Sequence, residues 1–202
     1  MKIYETRTAP NPRRVRIFLA EKGIDVEYVE LDIQKGENIS AEMLKKNPSG
    51  KVPVLELDDG TCIAETMAIC RYFEALQPEP ALMGKTPLEQ AQIESWQRLV
   101  EFNFLVPVGM CFQHSTGYFR DRMTPVPEFG KVSGEIALSF LDKLEQRLGE
   151  STYVAGEQFS VADITLLCAI DFGRVVKLRL QDQHVHLKRW YEMVAARPSA
   201  KA

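Results

Sequence analysis

The hydrophobic pattern changes period about eighty residues into the chain. Before that point, short alternating runs take turns with helical ones. Residues 2–6, around Ile3 and Tyr4, read as a strand, residues 13–22 as a helix closed by Gly23, and residues 26–31 as a second strand. A short helix is expected at 41–46. Val52, Val54, Leu55 and Leu57 then run into the turn Asp58-Asp59-Gly60, and Thr61-Cys62-Ile63-Ala64 returns, which is a β-hairpin. A helix over 67–76 completes the order βαβαββα, a small α/β unit on a mixed sheet. Gln77-Pro78-Glu79-Pro80 ends it, since two closely spaced prolines break helix and sheet alike.

Beyond this linker every pattern is helical. Thr86-Pro87-Leu88-Glu89 is a capping box with proline at the first helical position. Ile93, Trp96, Leu99, Val100 and Phe104 continue the apolar spacing, and Pro107 is expected to kink this helix. A long helix over 132–148 should stop at Gly149. Ser160-Val161-Ala162-Asp163 is a second capping box, flanked by Phe159 and Ile164 as a hydrophobic staple, so Asp163 reads as a cap and not as a catalytic acid. The helix it opens is apolar on most sides and is expected to be the buried centre of the second domain. A last helix spans 185–196. The expected domains are 1–77, a linker at 78–85, and 86–202.

Composition narrows the class. The 202 residues are 45% hydrophobic and 26% charged, and the net charge is −3. No Lys/Arg stripe is present to serve a nucleic acid or membrane surface, so any anion site must be local. Cys62, Cys70, Cys111 and Cys168 lie apart among apolar residues, with no metal-ligand spacing, and read as buried thiols in a reducing compartment. No metal is expected. The first residues have no apolar signal core and no apolar run would cross a bilayer, so a cytoplasmic location is expected.

Three stretches carry a resemblance: Asn47-Pro48-Ser49-Gly50-Lys51-Val52-Pro53-Val54-Leu55, then Ile63-Ala64-Glu65-Thr66 before a helix, and Phe159-Ser160-Val161-Ala162-Asp163. In this order they resemble the cytosolic glutathione transferases over nearly the whole chain. The segment 52–66 together with Gly84-Lys85-Thr86-Pro87-Leu88-Glu89 looks most like an atypical microbial branch lacking the usual catalytic tyrosine or serine. The resemblance implies a thioredoxin-like α/β domain followed by an all-helical domain, with glutathione as co-substrate and a homodimer as the assembly. It also implies a cis bond before Pro53, leaving the N–H and C=O of Val52 to pair with the glutathione backbone as an added strand.

The remaining glutathione contacts are implied in the same way. Thr66 and the helix start would hold the γ-glutamyl carboxylate, Glu65 would face the ammonium, and Lys51 would reach the glycyl carboxylate. A thiol of pKa about 8.5 is only a few per cent ionised at neutral pH, and lowering it by two units takes nearly 3 kcal/mol. One charge-assisted hydrogen bond supplies about 1.5–3 kcal/mol. Aligned with the family's first helix, Ala9 falls where many relatives carry serine or cysteine, and Asn11 falls where some microbial relatives carry an asparagine that contacts the sulfur. Asn11 is the first candidate for thiolate donor and Thr8 the second. Tyr4 lies inside the strand and is expected to be packed.

Phe104, Gly109, Met110, Phe112, Gln113 and His114, around and beyond Pro107, are the expected wall of a pocket for a small hydrophobic electrophile, with His114 or Gln113 able to assist deprotonation. His184 and His186 read as solvated. Three functions compete: conjugation of the thiolate to electrophiles in detoxification, glutathione-dependent disulfide or peroxide reduction, and a non-catalytic binding or interaction module.

Overall fold

The computed structural model describes all 202 residues and divides into two compact units, residues 1–81 with 201–202, and residues 82–200. The first is built on a four-stranded sheet of order β2-β1-β3-β4: β1 (Lys2–Glu5), β2 (Glu27–Glu30), β3 (Val54–Glu56) and β4 (Cys62–Ala64). β1 runs parallel to β2, with Ile3 opposite Tyr28, while β3 is antiparallel to both β1 and β4. Strand alternation divides the core between two faces. Tyr4 and Val54 turn to one face, where they cluster with Leu31, Val52 and Met43 of α2 (Ala41–Lys46). Ile3 and Leu55, both fully buried, turn to the other, which α1 (Pro10–Lys22) and α3 (Thr66–Leu76) close. Tyr4 is packed as expected, its hydroxyl donating to Glu56 at 2.8 Å.

Two helix starts differ from the sequence reading. α1 begins at Pro10 and not at Arg13, because prolines are tolerated in a first turn whose N–H groups have no helical partner. α3 begins at Thr66, with Glu65 as its cap residue, so Thr66 is the first helical residue rather than the cap. The strand before Pro53 is also shorter than expected, since β3 starts only at Val54.

Nothing in the local pattern around Lys22 marks its role. Its side chain is fully buried, and its ammonium lies 2.7 Å from the Glu74 carboxylate. It also donates to the carbonyls of Gln77 at 2.7 Å and Pro80 at 2.8 Å, fastening the chain after α3.

The helical unit contains α4 (Pro87–Val100), α5 (Val106–Thr116), α6 (Pro127–Glu150), α7 (Val161–Gly173) and α8 (Val185–Ala195). Thr86 and Glu89 form the expected capping box on α4. The irregularity expected at Pro107 takes the form of a π-helical turn, Glu101–Leu105, between α4 and α5. Proline cannot donate to the carbonyl four residues back, and a wider turn accommodates the loss.

α6 starts at Pro127, earlier than expected, and runs through Gly149 to Glu150. Its early glycines allow close approach to α5: a Cβ on Gly130 would lie 2.4 Å from Ser115 Oγ, and one on Gly134 would lie 3.3 Å from Cys111 Sγ. α7 is the buried centre of this unit, and every residue from Val161 to Ile170 is buried. Asp163 is more than a cap. Its Oδ2 accepts from Ser160 N–H and Oγ at 3.0 Å each, and its Oδ1 accepts from Val154 N–H at 2.9 Å and Trp190 Nε1 at 2.8 Å.

His184 corrects the sequence reading. It is 2% exposed, precedes α8, accepts the Gln181 N–H on Nδ1 at 3.1 Å and lies 3.2 Å from Asp142 through Nε2. His186 is exposed as expected. Cys62 is only half-buried, while the other three thiols are buried.

Candidate active site

The segment after α2 is held by side-chain amides. Asn47 donates to the Lys51 carbonyl at 2.8 Å and accepts from both Ser49 N–H and Oγ, and Asn38 donates to the Gly50 carbonyl at 2.6 Å. Gly50 sits at φ +62°, and a Cβ there would come within 2.8 Å of Ile39 Cγ2, so only glycine suits this turn. The result is a fixed approach to Val52, whose peptide bond to Pro53 is cis.

Val52 is 9% exposed, lies outside β3, and neither its N–H nor its C=O bonds within the chain. Such idle main-chain groups are rare in a folded interior. Nothing in the local sequence pattern marks Asn38 and Asn47 as supports of this edge.

The start of α3 adds a second feature. Glu65 adopts φ +71°, ψ 125°, a conformation that costs a non-glycine residue about 1–3 kcal/mol and concentrates at ligand sites. Behind it the first N–H groups of an 11-residue helix have no helical partner, no acid occupies the first turn, and Thr66 is 6% exposed. Lys51 is exposed and makes no ion pair.

The start of α1 is unusual in another way. Pro10 and Pro12 have no N–H, Ala9 N–H bonds to the Thr6 carbonyl at 3.0 Å, and Arg13 N–H bonds to the Ala9 carbonyl at 3.3 Å. Asn11 therefore owns the one main-chain donor left at this helix start. Its side-chain oxygen accepts from Arg14 Nη1 at 3.1 Å, which directs the amide NH2 elsewhere and fixes Asn11 as a donor on both groups.

The loop before it is pinned from three sides. Thr6 Oγ1 donates to the Leu31 carbonyl at 2.6 Å, Arg7 N–H donates to the Glu30 carboxylate at 3.0 Å, and Arg16 donates to the Arg7 carbonyl at 2.8 Å while pairing with Glu5. Burial pushes the Glu5 carboxyl up, against the pull of Arg16. Thr8 is exposed on this loop.

The six residues expected to form an electrophile wall divide. Phe104 is 2% exposed and belongs to the core of the helical unit. Gly109, Met110, Phe112, Gln113 and His114 are half-buried along α5. Phe112 meets Tyr118, Phe119 and Phe172 in an aromatic cluster, with centroids 5.1 Å apart for Phe112 and Phe172. His114 accepts the Val126 N–H on Nδ1 at 3.0 Å and stands edge-on to Phe129. Its Nδ1 is therefore occupied.

A free main-chain edge and an open helix start headed by a strained acid are groups able to bind a short peptide carrying carboxylates, in a chain of thioredoxin-like and helical units. Comparison with known proteins shows the family. Residues 1–75 match the N-terminal domain model of the glutathione S-transferases and residues 115–198 the C-terminal domain model. The chain is 42% identical to glutathione S-transferase 2 of Saccharomyces cerevisiae, over all of this chain and 88% of that protein. The crystal structure of Gtt2 from the same yeast superposes with a TM-score of 0.96, covering 100% of this chain and 99% of that one. A glutathione S-transferase domain-containing protein of Marinobacter aquaeolei, 40% identical, gives 0.95 over 98% and 99% of the two chains. The chain belongs to the glutathione S-transferase family and is an enzyme of that kind.

Proposed function

We propose that the chain conjugates the glutathione thiolate to small hydrophobic electrophiles, a detoxifying reaction of the cytoplasm. The observation that carries this reading is the unbonded main chain of Val52 beside the open start of α3. The cysteinyl residue of glutathione pairs with Val52 next to Pro53, its γ-glutamyl carboxylate sits at Thr66 and the N–H groups of α3, its ammonium meets Glu65, and its glycyl carboxylate meets Lys51. Asn11 donates its N–H and amide to the sulfur, with Thr8 as the alternative hydroxyl. Two such bonds to an anion exceed the nearly 3 kcal/mol needed to lower the thiol by two pKa units. The electrophile lies against Gly109, Phe112, Gln113 and His114.

The enzyme acts as a homodimer in this reading. Leu99, Phe102 and Val106 leave one apolar stripe exposed, and Phe129, Val132 and Ile136 leave another, each at helical spacing. Glutathione-dependent disulfide or peroxide reduction is the second reading, supported by Asn11 in place of a serine as the donor to the thiolate.

Calorimetric binding of glutathione, followed by an absorbance titration of the bound thiol, tests the scheme. Binding with a lowered thiol pKa and turnover of an aryl halide is expected. No binding would remove the whole assignment, and binding with an ordinary thiol pKa would leave a carrier.

A further inference from the structure

Asn11 can favour or oppose a thiolate, depending on which way its amide faces. The last torsion of an asparagine is broad and roughly two-fold, so its NH2 and its carbonyl oxygen exchange places at little intrinsic cost. An N–H turned to a thiolate donates to it, whereas a carbonyl oxygen turned to it repels it. Some other group must decide between the two.

The main chain is already settled. Asn11 is the second residue of α1, between Pro10 and Pro12, whose rings hold φ at about −65°. Ala9 N–H donates to the Thr6 carbonyl at 3.0 Å, and Thr6 Oγ1 donates to the Leu31 carbonyl at 2.6 Å. What stays adjustable at this helix start is the Asn11 side chain.

Arg14 removes that freedom. It stands three residues on, along the same helix face, and is 1% exposed although it carries a guanidinium. Close packing leaves so buried a side chain one arrangement. Its Nη1 lies 3.1 Å from Asn11 Oδ1, and since a guanidinium has donors and no acceptor, oxygen is the only amide atom it can hold. Reversing the amide would set donor against donor and take an acceptor away from a buried charge, whose hydrogen bonds are the costly ones to lose. The arrangement therefore requires a side chain that only donates. A glutamine at position 14 could hold either end of the amide.

We propose that Arg14 is a positioning residue for thiolate stabilisation. It keeps the Asn11 NH2 toward the glutathione sulfur and does not touch the substrate itself. The inference rests on Asn11 as the thiolate donor, and it adds the group that decides the sign of that interaction.

The test is an absorbance titration of bound glutathione in the full chain, with steady-state kinetics on an aryl halide. Arg14→Gln should raise the thiol pKa by about 0.5–1 unit and lower kcat about three- to tenfold near neutral pH, with KM for glutathione unchanged. Arg14→Lys, whose ammonium only donates, should stay within about 0.3 unit of the parent. Asn11→Ala should raise the thiol pKa by about one unit, and Arg14→Gln should add nothing in that background, since no amide is left to orient.

An unchanged pKa in Arg14→Gln beside a raised one in Asn11→Ala would overturn this inference and leave Asn11 as the donor. Equal effects of Arg14→Gln with and without Asn11 would also overturn it, because the guanidinium would then act by its charge alone. So would Arg14→Lys as impaired as Arg14→Gln. An unchanged pKa in Asn11→Ala would remove the donor assignment and this inference together. Should Arg14→Gln fail to fold, the wild-type chain decides: the side-chain amide resonances of Asn11, recognised by their loss in Asn11→Ala, should follow the titration of the bound thiol, and resonances that stay fixed would refute the orientation.

Discussion

Replacing Asp163 by alanine should cost the helical unit a large part of its stability. The carboxylate is fully buried and receives four donors, Val154 N–H, Ser160 N–H, Ser160 Oγ and Trp190 Nε1. The serine hydroxyl can rotate to another acceptor, but the two main-chain N–H groups and the indole N–H are fixed. Each buried donor left without a partner costs about 1–3 kcal/mol, so Asp163→Ala should lose roughly 3–5 kcal/mol even with some relaxation. Against a typical total of about 5–15 kcal/mol, that is roughly a fifth or more of the fold's margin.

Urea unfolding followed by far-ultraviolet circular dichroism would read this as a lower midpoint at unchanged slope. Trp190→Phe removes one of the fixed donors in advance. In that background Asp163→Ala should cost about 1–2 kcal/mol less, a coupling that loss of packing alone would not produce. A midpoint shift worth under about 0.5 kcal/mol, or strictly additive costs, would refute the idea that this carboxylate organises the helical unit.

Asn11→Ala should raise the pKa of bound glutathione by about one unit and slow conjugation about tenfold, with glutathione affinity little changed; an unchanged thiol pKa in the absorbance titration would move thiolate stabilisation to Thr8. Lys22→Met should cost the α/β unit about 3–5 kcal/mol in urea unfolding, because the Glu74 carboxylate and the Gln77 and Pro80 carbonyls lose a buried ammonium. Hydrogen bonds from Lys46 and then Tyr4 hold the Glu56 carboxyl below its ordinary 4.5. A depressed carboxyl stabilises the fold above its unfolded pKa and loses that contribution as the pH falls through the folded value, so stability should decline below pH 4.5, and less steeply in Glu56→Gln. Phe102→Lys should shift the chain to monomer in sedimentation; an unchanged dimer would place the subunit contact elsewhere.

Periodicity and caps carried the architecture, because each is written in neighbouring residues. Thr86 with Glu89 and Ser160 with Asp163 mark helix starts by local hydrogen bonds, and the alternation around Ile3 and Val54 assigns faces to strands without reference to the rest of the chain. The stretch 47–55 and Glu65-Thr66 pointed to a glutathione site through their resemblance to one family, not through a local pattern.

What depended on distant partners could not be read from the sequence. Lys22 looks like any helix-end lysine until the chain returns to it fifty-five residues later, and His184 looks solvated until Asp142 of α6 lies beside it. The extent of α6 turned on how close α5 comes to Gly130 and Gly134. The chain reversal after α7 depends on Leu178 folding back over Gly173. The sequence by itself determined the elements and their order; tertiary structure decided which polar groups are buried or paired, because burial and pairing depend on contacts that no local pattern encodes.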